Sequence, residues 1–226
     1  MDGNGRWARR QHLPRLEGHR RGYKTLKNTV MDAAQMGIKA LTAYTFSSEN
    51  WRRPRPEVEG LMKLIRYAAR AELDEMKAEG VKIVTSGHIE ELPQPVQDQL
   101  NEDVRETAGN TRITLNIAVN YGSRIEITDA AKAAARMVAD GRIGIDQIDE
   151  ELISSLMYHP ELGDPDLLIR TAGEMRISNF LLWQMAYTEI FVTQTLWPDF
   201  SRTDLEEAVA SYQARTRKFG AVVEES

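Results

Sequence analysis

The chain has no cysteine among its 226 residues. That excludes a disulfide scaffold, thiol catalysis and Cys-ligated zinc, and it fits a reducing compartment. No apolar run approaches the roughly 20 residues that a membrane-spanning helix needs. No leader precedes the first motif, so a cytoplasmic protein is expected. Internal repeats, low-complexity tracts and Gly/Pro/Ser-rich linkers are all missing. Nor is there an excess of positive charge. Lys and Arg total 29 against 34 Asp and Glu, a formal net charge of −5, which argues against a general nucleic-acid partner. What is present is ordinary for a globular protein: 42% hydrophobic and 28% charged residues. The length suits a single domain over 1–226 with one large core.

The charge is uneven. Arg6, Arg9, Arg10, Arg15, Arg20 and Arg21 stand against only Asp2 and Glu17 in the first 21 residues. A basic start on an acidic chain points to a local anion site.

Strand-like and helical segments alternate along the chain. Helix is expected over 17–36, 54–79, 95–107, 125–139, 148–158 and 204–218. Strands are expected over 38–46, 81–86, 111–119, 166–170 and 189–193. In 54–79 the apolar positions Val58, Leu61, Met62, Ile65, Ala69, Leu73 and Met76 follow helical spacing. Such alternation predicts an α/β fold with a mostly parallel central sheet flanked by helices. Ligands then sit beyond the carboxyl ends of the strands.

The informative residues cluster at such places. Met1–Arg10 reads MDGNGRWARR. Gly3 and Gly5 leave backbone N–H groups open to an anion, and Arg6 adds a planar donor fork. Asp2 is the lone carboxylate there, and a carboxylate beside phosphates is a natural Mg²⁺ ligand. The bland alternative is a Gly-rich turn with solvated arginines. Gly18–His19 is expected to open the next helix behind Arg15, a second anion position. The 46–57 segment, FSSENWRRPRPE, places Ser47, Asn50, Trp51 and Arg53 after a strand; its plain reading is a capped helix start. In 170–179, RTAGEMRISN, Arg170, Arg176 and Ser178 can grip another anion or simply face solvent. Glu189 is either capped at a sheet edge or a metal ligand. Two phosphate subsites around a metal, with an apolar wall carrying Ala68, Ala69 and Ala71, describe a lipid diphosphate as substrate.

At these residues the sequence resembles the cis-prenyltransferases. The matching blocks are MDGNGRWA (1–8), Gly18–His19, YTFSSENW (44–51) with Arg53–Pro54, LNIAVNYG (115–122), LIRT (168–171), Gly173–Glu174, RISNFLLWQ (176–184) and LWPDF (196–200). They span essentially the whole chain in one order. The resemblance implies a homodimer of α/β subunits, each with a hydrophobic tunnel. It implies condensation of isopentenyl diphosphate onto an allylic diphosphate such as farnesyl diphosphate, with each new double bond cis. The product would be a long polyprenyl diphosphate, the undecaprenyl carrier of cell-wall glycans, released with peripheral membrane contact. Asp2 matches the essential aspartate acting through Mg²⁺, and Asn50 a polar group beside the reacting atoms. Gly3, Asn4, Gly5, Arg6, Trp7, Arg15, His19, Ser47, Trp51 and Arg53 match the allylic side. Arg170, Arg176 and Ser178 match the isopentenyl diphosphate side, and Glu189 a metal-associated carboxylate. The chain has no Asp-Asp pair, so it lacks the DDxxD clamp of trans-prenyltransferases.

Three departures from that pattern stand out. A strand usually precedes the MDGNGRW block and would hold Asp2, so an upstream first strand is expected to be missing here. Met175 stands where a His is common. Lys218–Phe219–Gly220 replaces an Arg-x-Gly expected near the dimer interface. Product length is expected to follow the tunnel, with Ala43 and Thr45 leaving room and Ile113 at the far end. The alternatives are a short-chain or altered-product member, a non-catalytic partner subunit that binds lipid diphosphate, and a general phosphate-binding module.

Overall fold

The computed structural model describes residues 1–215. The Lys218–Gly220 segment lies outside them. In chain order the elements are α1 (Asn4–Arg10), α2 (Arg15–Gln35), β1 (Ala40–Ser47), α3 (Arg55–Ala78), β2 (Val81–Ser86), α4 (Gln94–Thr107) and β3 (Ile113–Tyr121). Then come α5 (Ser123–Ala139), α6 (Glu150–Ser155), β4 (Leu167–Arg170), β5 (Glu189–Val192) and α7 (Arg202–Gln213).

Every strand pairing is parallel, as expected, but the strands form two ladders. One has the order β1-β3-β2 and the other joins β4 to β5. No ladder joins β1 to β4 among the described residues, although both strands line one cavity. This corrects the single central sheet read from the sequence. Met1–Gly3 passes by this gap, held by single hydrogen bonds rather than by a ladder.

The helices pack on both sides of the three-stranded sheet. Val30, Ala33, Ala43, Val81, Ile83, Leu115, Trp197 and Leu205 form one core with α2 and α7. Phe46, Leu61, Met62, Leu92, Leu100 and Val119 form a second, under α3 and α4, and Ala118, Tyr121, Phe180, Leu181 and Met185 form a third at the end of β3. The α3 stripe packs because its apolar residues recur at 3.6-residue spacing. It starts after Pro54, and Gly80 follows its end at φ 73°, the left-handed turn that closes many helices. The register of β1 on β3 shifts between Tyr44 and Ser47. Such bulges bend a strand end and re-aim its side chains; here the shift falls at the edge of the site.

Two expectations change at the amino end. The glycine-rich start is a helix after Gly3 rather than a turn. And α2 begins at Arg15, so Gly18–His19 lies one turn inside it rather than opening it.

Candidate functional site

The amino-terminal segment is seated in a groove of α2 made by two glycines four residues apart. A Cβ on Gly18 would lie 2.0 Å from the Asn4 carbonyl oxygen, and one on Gly22 2.3 Å from Asn4 Oδ1 and 2.9 Å from Trp197 Cδ1. Above this groove the backbone of Asp2 is clamped from both sides. Its N–H donates to Thr171 Oγ1 at 2.9 Å, and the Thr171 hydroxyl donates back to its carbonyl at 2.9 Å. The Trp197 N–H donates to the same carbonyl at 2.9 Å, while the Trp197 indole donates to the Gly22 carbonyl at 2.8 Å. Asp2 is thereby placed at the carboxyl end of β4 by hydrogen bonds from Thr171 and Trp197.

Its side chain meets the residues expected on the isopentenyl diphosphate side. Arg170 Nε donates to Asp2 Oδ2 at 3.1 Å, and Arg170 NH2 donates to Ser178 Oγ at 3.1 Å. Arg170 is nearly buried at 11% side-chain exposure, whereas Asp2 remains 35% exposed. One oxygen of a half-exposed carboxylate thus carries the ion pair, beside two further phosphate-type donors. Arg176 pairs with Glu174, which also takes Arg6 NH2 at 2.6 Å. Arg6 NH1 further donates to the Ala172 carbonyl at 3.0 Å. Arg6 therefore sits between the amino-terminal segment and the 173–179 loop, and lines a second hollow of about 390 Å³ with Arg9 and Arg15.

The expected allylic side is a separate cluster. Arg15 and Arg53 both reach Glu57 Oε1, at 3.3 and 3.1 Å. His19 lies beside them, and its Nε2 is buried without a hydrogen-bond partner. Burial, reinforced by the charges of Arg53 and Arg15, pushes the His19 pKa down to about 4. A neutral imidazole with an unused buried nitrogen, between two arginines, is a seat for an anion's oxygen. Ser47 and Asn50 close this side: the Ser47 N–H donates to Asn50 Oδ1 at 3.2 Å.

Asp2, Gly3, Asn4, Gly5, Arg15, His19, Ser47, Asn50, Arg53, Arg170, Arg176 and Ser178 all line one cavity of about 1270 Å³. Its inner wall is apolar: Leu61, Ile65, Ala68, Ala69, Leu73 and Met76 from α3, Leu100 from α4, and Ala43, Ile83, Leu115 and Ile117 from the sheet. Thr45 lines it too, its hydroxyl donating to the Ala118 carbonyl at 2.8 Å.

Other expected residues lie elsewhere. Trp7 does not line the cavity; its indole N–H donates to Asp199 Oδ1 at 2.7 Å. Trp51 is not a cavity wall either. It packs edge-on against Phe46 at 5.2 Å and donates to Asn120 Oδ1 at 2.7 Å. In both, the indole N–H needs an acceptor, and that acceptor sets where the ring turns. Ala71 and Ile113 are absent from the cavity lining, and Ile113 is core. Glu189 is not brought to Asp2. It pairs with Leu167 in the register, at the opposite end of β4 from Arg170, and its carboxylate is held by Arg215. No cluster of three or more His, Asp or Glu able to hold a metal exists among the described residues. Asp2 alone fits Mg²⁺, which commonly takes one or two carboxylates and completes its shell with substrate oxygens and water. Met175 is 87% exposed and touches none of this.

Glu57, which sits between Arg15 and Arg53, was not singled out in the sequence, and Glu174, which sits between Arg6 and Arg176, entered only as part of a matching block. The signal that could have found Glu57 is its place four residues after Arg53 on a helix.

Comparison with known proteins places the chain in a family. The family model described as "Putative undecaprenyl diphosphate synthase" matches residues 1–220. An isoprenyl transferase of Heliobacterium mobile is 49% identical over 222 residues, 98% of this chain and 85% of the relative. The (2E,6E)-farnesyl-diphosphate-specific ditrans,polycis-undecaprenyl-diphosphate synthase of Xanthomonas axonopodis pv. citri is 47% identical, over 97% of this chain and 86% of the relative. Among solved structures, lavandulyl diphosphate synthase from Lavandula x intermedia, in complex with dimethylallyl diphosphate, superposes with a TM-score of 0.93. The two chains are 35% identical, with 97% of this chain and 95% of that one covered.

Proposed function

The chain belongs to the prenyltransferase family of undecaprenyl diphosphate synthases, and from that premise we propose that it extends an allylic diphosphate, farnesyl diphosphate by preference, with isopentenyl diphosphate. Each addition leaves a cis double bond, and the product is undecaprenyl diphosphate. The observation that carries this reading is the position of Asp2, Arg170 and Ser178 at the polar mouth of an apolar cavity, with a second cationic cluster across that mouth.

The roles follow from the two clusters. Arg15, Arg53 and neutral His19 hold the allylic diphosphate, and Gly3–Gly5 lets the backbone approach it. The leaving charge is neutralised as it forms by donors already in place. Arg170, Arg176 and Ser178 hold isopentenyl diphosphate. Its C4 carbon attacks the allylic carbon as the C–O bond breaks, and a proton leaves C2. Asn50 orients the reacting ends. Mg²⁺, held by Asp2 and substrate oxygens, would supply further neutralisation of diphosphate charge. Fixing both substrates at adjoining clusters provides much of the acceleration.

The apolar cavity serves as the tunnel for the growing chain. Its volume exceeds what one short prenyl group fills, which favours a long product over the short-chain alternative. Asp2 and both arginine sets argue against a non-catalytic partner. The homodimer belongs to the same reading; Leu182 and Ile190, on and near β5, are exposed apolar side chains that a second copy could cover. The described residues hold no helix long and apolar enough to cross a membrane. Release of the lipid product by peripheral membrane contact is part of the proposed reading.

Incubation with farnesyl diphosphate, labelled isopentenyl diphosphate and Mg²⁺, followed by reversed-phase separation, tests this. Undecaprenyl diphosphate is expected. A short product selects the altered-product reading. Absence of any elongation, with nucleotides binding as well as farnesyl diphosphate, contradicts both.

A further inference from the structure

The block LNIAVNYG runs into the junction between β3 and α5, yet none of its residues contacts either diphosphate cluster in the roles above. Its surroundings explain what it does. The junction holds the 48–52 turn, which carries Asn50 and leads to Arg53, on one side. On the other it holds the 173–181 loop, which carries Arg176 and Ser178.

Asn179 makes the link. Its Nδ2 donates to Glu49 Oε1 at 2.8 Å, which ties the loop directly to the turn. Its Oδ1 accepts from the Arg124 N–H at 2.9 Å and its backbone carbonyl from the Ser123 N–H at 2.8 Å. A Cβ on Gly122 would lie 2.7 Å from both Asn179 Nδ2 and Ser48 Oγ, so any side chain there would push these two polar ends from their present positions. On the turn side, Trp51 is fixed by Asn120, whose Nδ2 donates to the His88 carbonyl at 2.8 Å. The backbone is held in costly shapes to do this. Asn120, Ser178, Asn179 and Leu181 all have left-handed φ, between 45° and 60°, a conformation that a non-glycine residue keeps only where its surroundings enforce it.

We propose that Asn179 is a positioning residue: through Glu49 it sets the register between the turn at the allylic cluster and the loop at the isopentenyl diphosphate cluster. The inference rests on the function proposed above and adds to it the element that keeps the two substrates in line. Asn179 and Glu49 both line the cavity, but the Asn179 side chain is engaged by Glu49 and the Arg124 N–H, so it acts through the turn. A register error of about 1 Å can cost 10²-fold in rate with little loss of binding.

The test uses the full chain, with kcat, both KM values and the thermal midpoint measured for each variant. Asn179→Asp keeps the acceptor for Arg124 and places a carboxylate against Glu49. It is expected to lower kcat about tenfold or more while each KM moves less than about threefold. Adding Glu49→Gln supplies an amide that donates to the carboxylate introduced at position 179, and it is expected to restore most of kcat. Glu49→Ala, which breaks the tie from the other side, is expected to act like Asn179→Asp. Three results overturn the proposal: unchanged kcat in Asn179→Asp, a rise confined to the isopentenyl diphosphate KM, or no recovery in the double variant. If Asn179→Asp also lowers the thermal midpoint, recovery of kcat ahead of the midpoint in the double variant supports it, and parallel recovery overturns it. An inert wild-type chain would instead contradict the proposed function, so the two failures are distinguishable.

Discussion

In the proposed function Asp2 concentrates the chemistry, because its carboxylate pairs with Arg170, which in turn holds Ser178. Asp2→Ala is expected to lower turnover by about 10²–10³-fold, the scale of removing one transition-state charge contact, while farnesyl diphosphate binding measured by titration survives. His19 gives a pH signature. Its pKa falls from 6.5 in the unfolded chain to about 4 in the fold. Between those values the unfolded chain binds the extra proton, so stability rises with pH through this window and is lost on acidification. The midpoint of urea unfolding should therefore drop as pH falls from 6.5 towards 4, and His19→Gln should flatten that slope. An unchanged slope in His19→Gln would place the imidazole in water. At this scale the sequence was legible in the gathering of polar candidates, since Arg170, Ser178 and Arg53 all line one cavity. It misled where an indole N–H or a distant cation decides the rotamer. Trp7 follows Asp199, Trp51 follows Asn120, and Glu189 follows Arg215, partners no local pattern contains.

Among the elements, α2 carries the most demanding contact. Gly18→Ala would gain about 1 kcal/mol of helix propensity. Its Cβ, however, would meet backbone at 2.0 Å, and overpacking of a close site costs about 1–3 kcal/mol. The clash wins because backbone must move, and the segment that moves carries Asp2. Gly18→Ala is thus expected to lower both the thermal midpoint and kcat, whereas Gly109→Ala, which meets nothing within 4 Å, should spare both. Equal behaviour of the two variants would remove the seating argument. Along α3, Ala69→Phe should shorten the prenyl product with initial turnover retained, read by chromatography. Long elements such as α3 were legible because periodicity accumulates over many residues. The seven-residue α1 was not, since its glycines read as a turn and its folding depends on docking into the Gly18–Gly22 groove.

For the whole molecule, the parallel pairing of the strands was legible from their alternation with helices, and the polar candidates gather beyond strand ends as that topology leads one to expect. The division into two ladders was not, because pairing depends on which strand edges meet across the cavity. The exposed apolar residues near β5 predict a dimer by sedimentation at micromolar concentration. A monomer would leave that face unexplained. On the proposed function the molecule is organised around one mouth, built on Asp2, that joins two diphosphates with cis geometry. The decisive measurement is the NMR-resolved geometry of the first double bond formed from farnesyl and labelled isopentenyl diphosphates, by the wild-type chain beside Asp2→Ala. A cis bond from the wild type and almost no condensation from the variant are expected. A trans bond, or equal product from both proteins, would overturn that reading.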